Sequence, residues 1–402
     1  MTTVISPRTP IVLHYVSALR WFDPFSPISL IIGQRFGIPY YEMFLLQAVC
    51  SMTILLSELP AGILADRFGC RYVMILSAFF LSVAYILFML FPSFLTWVIA
   101  ELFAGLGIAF YSGADTALLY ASCHGASKRA HYQKQEGLMQ SLARWSEGMS
   151  SGLGFVAVLN ARLPIILALI AKLTMLFLCA TALPRQSGRP VKSVGTVLEN
   201  KQVGPLEIFR LMRLDKQQRP IQHKILVSLF FYAALQSIVL INIFWMIQLT
   251  GDTLSLSLSL MSILWVLYFG LCAIVSYFLA NRLLQYRHSQ IILLPLISCL
   301  LLLLSAFMPI DLRMIPLVLF SVVYGLLMPL INSLINDYAT KERRVMMHSC
   351  CATLTRLLFV LVAPITGYLA QYVSSEAAFL FLFVPSVLGS LLSFRVFLMV
   401  SG

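Results

Sequence analysis

The sequence predicts an all-α polytopic membrane protein with twelve transmembrane helices in two six-helix bundles. Hydrophobic residues make up 60% of the 402 residues and charged residues only 11%, whereas a soluble domain contains about 25% charged residues. Each membrane helix needs roughly 20 apolar residues, and a lone strand cannot satisfy its backbone hydrogen bonds in lipid. The apolar segments predict helical spans at 11–33, 40–64, 71–91, 94–121, 136–159, 163–183, 223–248, 256–280, 289–309, 313–338, 346–371 and 377–399.

A polar segment divides these spans into two sets of six. Residues 184–222 are rich in Lys, Arg, Pro and Gly, a composition that is typical of a connecting segment. We therefore expect an N-terminal six-helix bundle in residues 1–183, a cytoplasmic linker in 184–222 and a C-terminal six-helix bundle in 223–402.

Two halves of six spans suggest a parallel internal repeat. Ala-Asp-Arg at residues 65–67, at the end of span 2, has a counterpart in Ala-Asn-Arg at 280–282, at the end of span 8. Ser-Leu-Ala-Arg at 141–144 in span 5 similarly matches Thr-Leu-Thr-Arg at 353–356 in span 11. Each pair is weak by itself, but both pairs lie at equivalent places in the two halves.

The cations indicate the orientation of the chain. With a cytoplasmic N-terminus, the outside loops hold only Arg35, Arg162 and Arg313, and the other loop cations lie inside. This alternation agrees with the positive-inside rule, so we expect both termini in the cytoplasm. It also accounts for the formal net charge of +12, and we therefore expect the lipid bilayer, not nucleic acid, as the large partner.

Several chemistries lack the residues that they need. The eight cysteines form no C-x-x-C pair and the six histidines no H-E-x-x-H motif, so we expect no metal site and no intramembrane enzyme. The sequence contains no G-x-x-x-x-G-K-[ST] loop, which argues against ATP as the energy source.

A short charged turn between spans 2 and 3 is the most specific motif, G-I-L-A-D-R-F-G-C-R at residues 62–71. Gly62 and Asp66 lie one helical turn apart on the same face, and Gly62 would allow another helix to approach closely. Gly69 permits a tight turn. We expect Arg67 and Arg71 to hold the loop on the cytoplasmic side.

This turn resembles the signature of the loop between helices 2 and 3 in the major facilitator superfamily of secondary transporters. In that family the loop locks the two halves together on the cytoplasmic side when the carrier faces outward. The resemblance implies a monomer in the inner (plasma) membrane that moves a small-molecule substrate by alternating access, driven by a proton gradient and without a cofactor. A topogenic charged turn is the alternative. Cys70 stands where the family commonly has Arg or Lys.

Span 4 carries a second resemblance. Its first part, E-L-F-A-G-L-G, is similar to the family's R-x-x-x-G-x-G pattern but places Glu101 where the Arg linked to proton coupling stands in many members. Its second part, S-G-A-D-T-A-L-L-Y, resembles a stretch of a drug-efflux-like bacterial subset. There we expect Asp115 either to pair with Arg67 or Arg71 at the gate, or to act directly in coupling or substrate binding.

Span 5 resembles part of the family's antiporter signature. Gly148 and Gly152 form a G-x-x-x-G pair, but Leu153 stands where a Pro normally follows. Arg144 and Glu147 are three residues apart and so lie on one helical face.

Span 1 holds two opposite charges near mid-membrane. Arg20 and Asp23 either neutralise each other at helical i, i+3 spacing or face a cavity, since Pro24 and Pro27 break the helix. We favour the cavity. Lys172 in span 6 either snorkels or pairs with a carboxylate.

The two halves differ in their polar residues, so we expect the first to couple to protons and the second to contact substrate. The candidate coupling or cavity residues are Arg20, Asp23, Glu58, Glu101, Arg144, Glu147 and Arg356. The candidate substrate contacts are Gln236, Asn242, Trp245, Asn332 and Asn336. The leading hypothesis is proton-coupled efflux of an amphipathic compound. Uptake or export of a metabolite or siderophore, and a non-transporting membrane receptor on the same scaffold, are the alternatives.

Asp66→Asn is expected to impair transport more than Asn281→Ala, because only the first half keeps the full charged turn. Transport should be compared per inserted molecule, after membrane insertion of both variants has been quantified. Equal effects would contradict an asymmetric gate.

Overall fold

The computed structural model describes residues 9–123, 128–184, 220–279, 287–339 and 344–401. All regular secondary structure in these ranges is helical. The chain divides into two compact units, Met1–Leu198 with Ser257–Val266 and Glu199–Leu256 with Leu267–Gly402. Most of the predicted linker at 184–222, and the repeat segment at 280–282, lie outside the described ranges. The boundaries of the two bundles therefore stay predictions.

Eight described helices belong to the first unit by their position in the chain. They are α1 (Thr9–Trp21), α2 (Ser29–Arg35), α3 (Tyr40–Phe68), α4 (Cys70–Leu90), α5 (Phe94–Tyr111), α6 (Ala114–Ser122), α7 (Lys128–Gly152) and α8 (Leu163–Thr181). Short 3-10 turns at Ser26–Ile28 and Leu153–Val158 precede α2 and follow α7.

Six more described helices follow. They are α9 (Pro220–Thr253), α10 (Leu258–Ile274), α11 (Arg287–Phe307), α12 (Met314–Tyr338), α13 (Arg344–Tyr372) and α14 (Ser375–Ser401). A π-helical turn at Val275–Leu279 extends α10. The first nine residues of α10 are grouped with the first unit.

Ten helices in the described part of the chain are long and apolar enough to cross a membrane. The predicted spans at 11–33 and 136–159 are not among them. The first is interrupted, so that α1 has 13 residues and α2 only 7. The second corresponds to the polar helix α7, which changes to a 3-10 turn after Gly152. A multi-pass helical fold is thus confirmed, while the count of twelve spans stays a prediction.

One residue connects α3 to α4. Gly69 has φ +91°, in the region that glycine occupies without strain, and its amide donates to the carbonyl oxygen of Ala65 at 2.9 Å. The charged motif at 62–71 therefore spans the end of one helix, a single-residue turn and the start of the next.

Two glycines let α5 press against its neighbours. A Cβ at Gly105 would lie 2.7 Å from Thr53 Cβ and 2.8 Å from the Cys50 carbonyl oxygen, both on α3. A Cβ at Gly107 would lie 2.6 Å from Leu81 Cγ on α4, and Ser77 Oγ donates to the Gly107 carbonyl oxygen at 2.6 Å. The G-x-G pair thus serves close packing on two sides of the helix.

The second unit repeats this packing. A Cβ at Gly325 on α12 would lie 2.8 Å from the Cys272 carbonyl oxygen and 3.1 Å from Val275 Cγ1. Gly105 on α5 meets the Cys50 carbonyl oxygen at the same distance. Spans 4 and 2 therefore approach each other as spans 10 and 8 do, and the internal repeat is visible in backbone packing.

Gly105→Ala is expected to lower the free energy of unfolding by about 1–3 kcal/mol, because the added methyl group overlaps a carbonyl oxygen and a neighbouring side chain. Gly137→Ala is the matched control: nothing described lies within 4 Å of a Cβ there, and Ala in place of a helical Gly stabilises by up to about 1 kcal/mol. Thermal unfolding in detergent micelles compares the two. Equal melting temperatures would contradict the close approach.

Candidate functional site

The most polar region of the first unit surrounds an interruption in span 1, which we call the α1 break (Phe22–Phe25). Helix α1 ends at Trp21, and the chain resumes helical form at Ser26. Pro24 has no backbone N–H and cannot continue the hydrogen-bond ladder. The last carbonyl groups of α1 therefore need other donors.

Lys172 on α8 supplies those donors. Its Nζ donates to the carbonyl oxygens of Leu19 at 3.2 Å, Arg20 at 2.7 Å and Phe22 at 3.0 Å. An ammonium group has three N–H donors, so all are used, and the residue is only 2% exposed. Its positive charge also lies at the negative end of the α1 dipole. Neither role predicted for Lys172, snorkelling or pairing with a carboxylate, is seen in the described contacts.

Asp23 caps the other side of the α1 break. Its Oδ1 accepts the backbone amides of Phe25 at 3.1 Å and Ser26 at 3.2 Å, and its Oδ2 accepts the Tyr85 hydroxyl from α4. The Asp23 amide donates to Ser150 Oγ on α7 at 3.0 Å. Both carboxylate oxygens are thus committed to ordering the backbone.

Arg20 and Asp23 do not form the ion pair that their spacing allowed. Helix α1 ends at Trp21, between them, so the i, i+3 geometry of an intact helix no longer applies. The helix break predicted at Pro24 and Pro27 is present. Whether a cavity faces it stays a prediction.

Polar bonds hold α1 against α7. Ser146 Oγ donates to the Ala18 carbonyl oxygen at 2.7 Å, and His14 Nε2 lies 3.2 Å from the Gln135 carbonyl oxygen. Together with Ser150 at the break, these contacts run from the middle of α1 to the break.

Two guanidinium groups lie near one indole ring, and we call Arg20, Trp21 and Arg144 the arginine–tryptophan cluster. Arg20 Cζ lies 4.8 Å and Arg144 Cζ 4.9 Å from the ring centre of Trp21. Arg20 Cζ also lies 5.7 Å from the ring centre of Tyr111. Arg144 Nη1 donates to Glu147 Oε2 at 2.7 Å, so the predicted same-face pair is an ion pair.

Glu101 lies inside the first unit. It is 8% exposed, and its Oε1 accepts a hydrogen bond from Gln47 Nε2 on α3 at 2.8 Å. The Cys50 thiol is a further hydrogen-bond donor. In the described part of the chain Glu101 forms no ion pair.

Asp115 lies in the first turn of α6, where the chain bends after α5. Gly113, with φ +83°, makes the bend. Asp115 is 7% exposed, and its Oδ1 accepts the Thr116 amide at 2.7 Å. The pairing with Arg67 or Arg71 is absent from the described ion pairs.

The arginines of the charged turn have other contacts. Arg71 Nε donates to the Cys179 carbonyl oxygen at 3.4 Å, and its Nη2 donates to that of Ala180. Arg71 therefore caps the end of α8. Arg67 is exposed, 5.4 Å from the Phe68 ring centre.

Gly62 and Asp66 have fewer neighbours. No described atom lies within 4 Å of a Cβ placed on Gly62, so the expected close helix approach is absent there among the described residues. It occurs at Gly105 instead. Asp66 is half-buried, and no described residue forms a hydrogen bond with its carboxylate.

Three predicted substrate contacts are buried in the second unit. Gln236 and Asn242 are 0% exposed, and Trp245 is buried as well. Gln236 Nε2 donates to the Ser386 carbonyl oxygen at 3.3 Å, and Asn242 Nδ2 to that of Ile238 at 2.8 Å. In this conformation Gln236 and Asn242 therefore bond backbone and present no surface to a ligand.

The remaining candidates are scattered. Asn332 and Asn336 are exposed on α12, and Asn336 Oδ1 lies 3.4 Å from His348 Nε2. Glu58 and Arg356 are half-buried. The described contacts therefore gather the candidate residues only around the α1 break and Glu101.

Comparison with known proteins identifies the scaffold. A family model described as Major Facilitator Superfamily matches residues 16–345, more than half of the chain. This chain belongs to the major facilitator superfamily. It is therefore a multi-pass secondary transporter of a small molecule and not an enzyme. No curated protein matches the sequence significantly.

Solved structures of transporters share the fold. The human organic anion transporter MFSD10 (TETRAN) is 14% identical, with a TM-score of 0.65 over 96% of this chain and 99% of that one. A mutant of the nucleoside transporter NupG is 12% identical, with a TM-score of 0.75 over 97% and 99%. A D-xylose-proton symporter is 12% identical, with a TM-score of 0.73 over 97% and 98%. At these identities the likeness shows the fold alone.

Sequence reasoning missed Tyr85 and Gln47 as contributors to the site of this superfamily member, and it gave Lys172 other roles. Lys172, Tyr85 and Gln47 act through partners far away in the chain. The one available signal was Pro24, which leaves backbone carbonyl groups without hydrogen-bond partners inside an apolar span. A buried Lys can donate to such carbonyl groups.

Lys172→Met is expected to lower the free energy of unfolding by about 2 kcal/mol or more. Carbonyl groups of α1 lose their hydrogen-bond donor, at a cost of about 1–3 kcal/mol each. Removal of a buried charge offsets part of that loss. Thermal unfolding measures the change. Lys224→Met is the control, since Lys224 is exposed near the start of α9. If both variants melt like the wild type, Lys172 does not support the break.

Proposed function

We propose that this transporter is a proton-coupled exporter of an amphipathic compound. The observation that carries the proposal is the isolation of Glu101, a buried carboxyl group that has polar neighbours but no cation in the described part of the chain. We also propose that it acts as a monomer in the inner membrane, with both termini in the cytoplasm.

Glu101 has the properties of a proton carrier. Burial of an ionised carboxyl group costs far more free energy than burial of the neutral acid unless a cation compensates. Gln47 donates to one oxygen and no described cation replaces a proton. Alternating access would expose Glu101 to water on each side in turn, and so let it take up and release a proton.

Asp115 is a second candidate for the same role. It is buried at the bend between α5 and α6, and its carboxylate accepts a hydrogen bond from the Thr116 amide. Asp23, by contrast, is engaged on both oxygens. We therefore assign proton coupling to Glu101 first and Asp115 second, and a structural role to Asp23.

An exposed surface on α7 supports an amphipathic substrate. Leu138, Leu142, Trp145 and Met149 are exposed and recur at helical spacing. The side chain of Arg144, on the same helix, is 55% exposed. At about 100° per residue Arg144 lies well away from this apolar stripe, so α7 offers an exposed apolar face and, on another side, an exposed charge.

Export is supported by the resemblance of residues 112–120 to a drug-efflux-like subset and by the G-x-x-x-G pair in α7. Structural neighbours include an organic anion transporter, a nucleoside transporter and a D-xylose-proton symporter, which leaves uptake or export of a specific metabolite as the alternative. A library of amphipathic compounds, screened in liposomes with and without a pH gradient, separates these functions from a non-transporting receptor.

Glu101→Gln is expected to reduce transport driven by a pH gradient by about tenfold or more, which corresponds to about 1.4 kcal/mol of lost coupling. The Gln amide keeps the shape of the side chain and the hydrogen bond with Gln47, but it cannot take up or release a proton. Gradient-free exchange of the best library compound across the same liposomes should be preserved, because it needs no net proton movement.

Asp115→Asn tests the second candidate in the same assay, and Glu42→Gln is the control. Glu42 is an acid in the first turn of α3, outside the polar region. Proton-driven transport that survives in both Glu101→Gln and Asp115→Asn would refute coupling through these acids.

A further inference from the structure

Arg20 is a cation without an anion. In the described part of the chain it forms no ion pair, and its buried Nε has no hydrogen-bond partner. The rings of Trp21 and Tyr111 hold the guanidinium group in place. A guanidinium group offers five N–H donors in a rigid fork, so its donors are oriented but unused.

The carboxylates around Arg20 are engaged by other groups. Asp23 accepts two backbone amides and the Tyr85 hydroxyl, and Glu147 binds Arg144. Asp115 is near enough to interact electrostatically with Arg20, but its carboxylate accepts a hydrogen bond from the Thr116 amide. Lys172, in the same region, is a hydrogen-bond donor to backbone carbonyl oxygens and offers Arg20 no anion.

Arg144 brings a second guanidinium group to the same indole ring. The Cζ atoms of Arg20 and Arg144 both lie within 5 Å of the Trp21 ring centre. The two guanidinium groups are therefore close enough to contact one small ligand. One Nη of Arg144 is used by Glu147. The side chain is 55% exposed, and so a ligand can reach it.

We propose that the arginine–tryptophan cluster binds the anionic group of the substrate, and that the substrate is therefore an amphipathic organic anion. Arg20 donates to the anionic oxygens, Arg144 adds charge and a further donor, and the aromatic rings contact the apolar body. This inference rests on the proposed transport of an amphipathic compound and names its class.

The depth of Arg20 favours a free organic anion over a lipid headgroup. Arg20 lies roughly 17 Å along the helix from Thr9, about half the hydrocarbon thickness of a bilayer of roughly 30 Å. Lipid headgroups lie at the membrane surface. A carboxylate on a compact aromatic body can reach this depth in water, and its planar shape fits the guanidinium fork.

Equilibrium binding tests the inference without any pH gradient. Purified full-length protein in phosphatidylcholine nanodiscs is titrated by calorimetry with 1-naphthaleneacetate and with its uncharged amide, 1-naphthaleneacetamide. The wild type should bind the anion about tenfold or more tightly than the amide, as expected for one charge-assisted hydrogen bond. Arg20→Gln should abolish that preference and leave amide binding unchanged.

Two further variants keep the test decisive if Arg20→Gln does not fold. Arg20→Lys keeps the charge without the fork and should retain part of the preference, and Arg144→Gln should reduce it. Arg35→Gln is the control, because Arg35 is exposed at the end of α2 and should bind like the wild type. Elution volume and thermal unfolding establish that each variant is folded.

Each outcome has a separate meaning. Equal affinity of the wild type for anion and amide, or an unchanged preference in all three cluster variants, overturns the inference. Loss of the preference when phosphatidylglycerol is added to the nanodiscs assigns the site to a lipid headgroup and also overturns it. Anion preference in a protein whose transport ignores the pH gradient upholds the inference and refutes only proton coupling.

Discussion

The three hydrogen bonds from Lys172 to the backbone of α1 are the interaction on which the polar part of the first unit depends. Span 1 is broken at Pro24, and carbonyl groups freed inside a membrane must find donors within the protein. The ammonium group supplies three of them. Asp23 accepts the amides beyond the break and the Tyr85 hydroxyl from α4, and its own amide donates to Ser150 on α7, so α1, α4, α7 and α8 meet at one point.

The charged side chains of the first unit fall into two groups, those that bind backbone groups and those that do not. Lys172 and Asp23 have opposite signs and lie close together, yet each binds backbone groups instead of the other. Arg71 also binds backbone, at the end of α8. Arg20 and Glu101 are left with unused capacity in the same unit, one for an anion and one for a proton. In the proposed mechanism, substrate binding and proton binding thus use different side chains.

Hydropathy predicts most of the fold, because apolar length is a local property of the sequence. It also predicts that Pro24 interrupts span 1. The partners of that interruption could not be predicted, since Lys172 lies about 150 residues away and an isolated Lys in an apolar span has several possible roles. The single-residue turn at Gly69 follows from its motif, whereas the close helix contacts occur at Gly105 and Gly107 and not at Gly62. A glycine shows that a neighbour can approach, but only the packing shows where one does.

Polar residues in the second half show the same limit of prediction from sequence, which gives the residue type but not its contacts. Gln236 and Asn242 stand out in apolar spans, as substrate contacts would, but both are 0% exposed and bond to carbonyl oxygens. Residue type alone does not separate a side chain that bonds backbone, in its own helix or in a neighbouring one, from a side chain that meets a ligand. Glu101 is similar, since its isolation depends on which side chains of α3 face it.

The α1 break has a consequence for synthesis of the chain in the cell. Span 1 leaves the ribosome first, but its carbonyl groups meet Lys172 only after five further spans have been made. Until then those groups require water or another protein as a partner. The N-terminal segment must therefore remain in a hydrated environment, such as the insertion machinery, during translation. Release of the first helix into lipid is tied to the arrival of the sixth span.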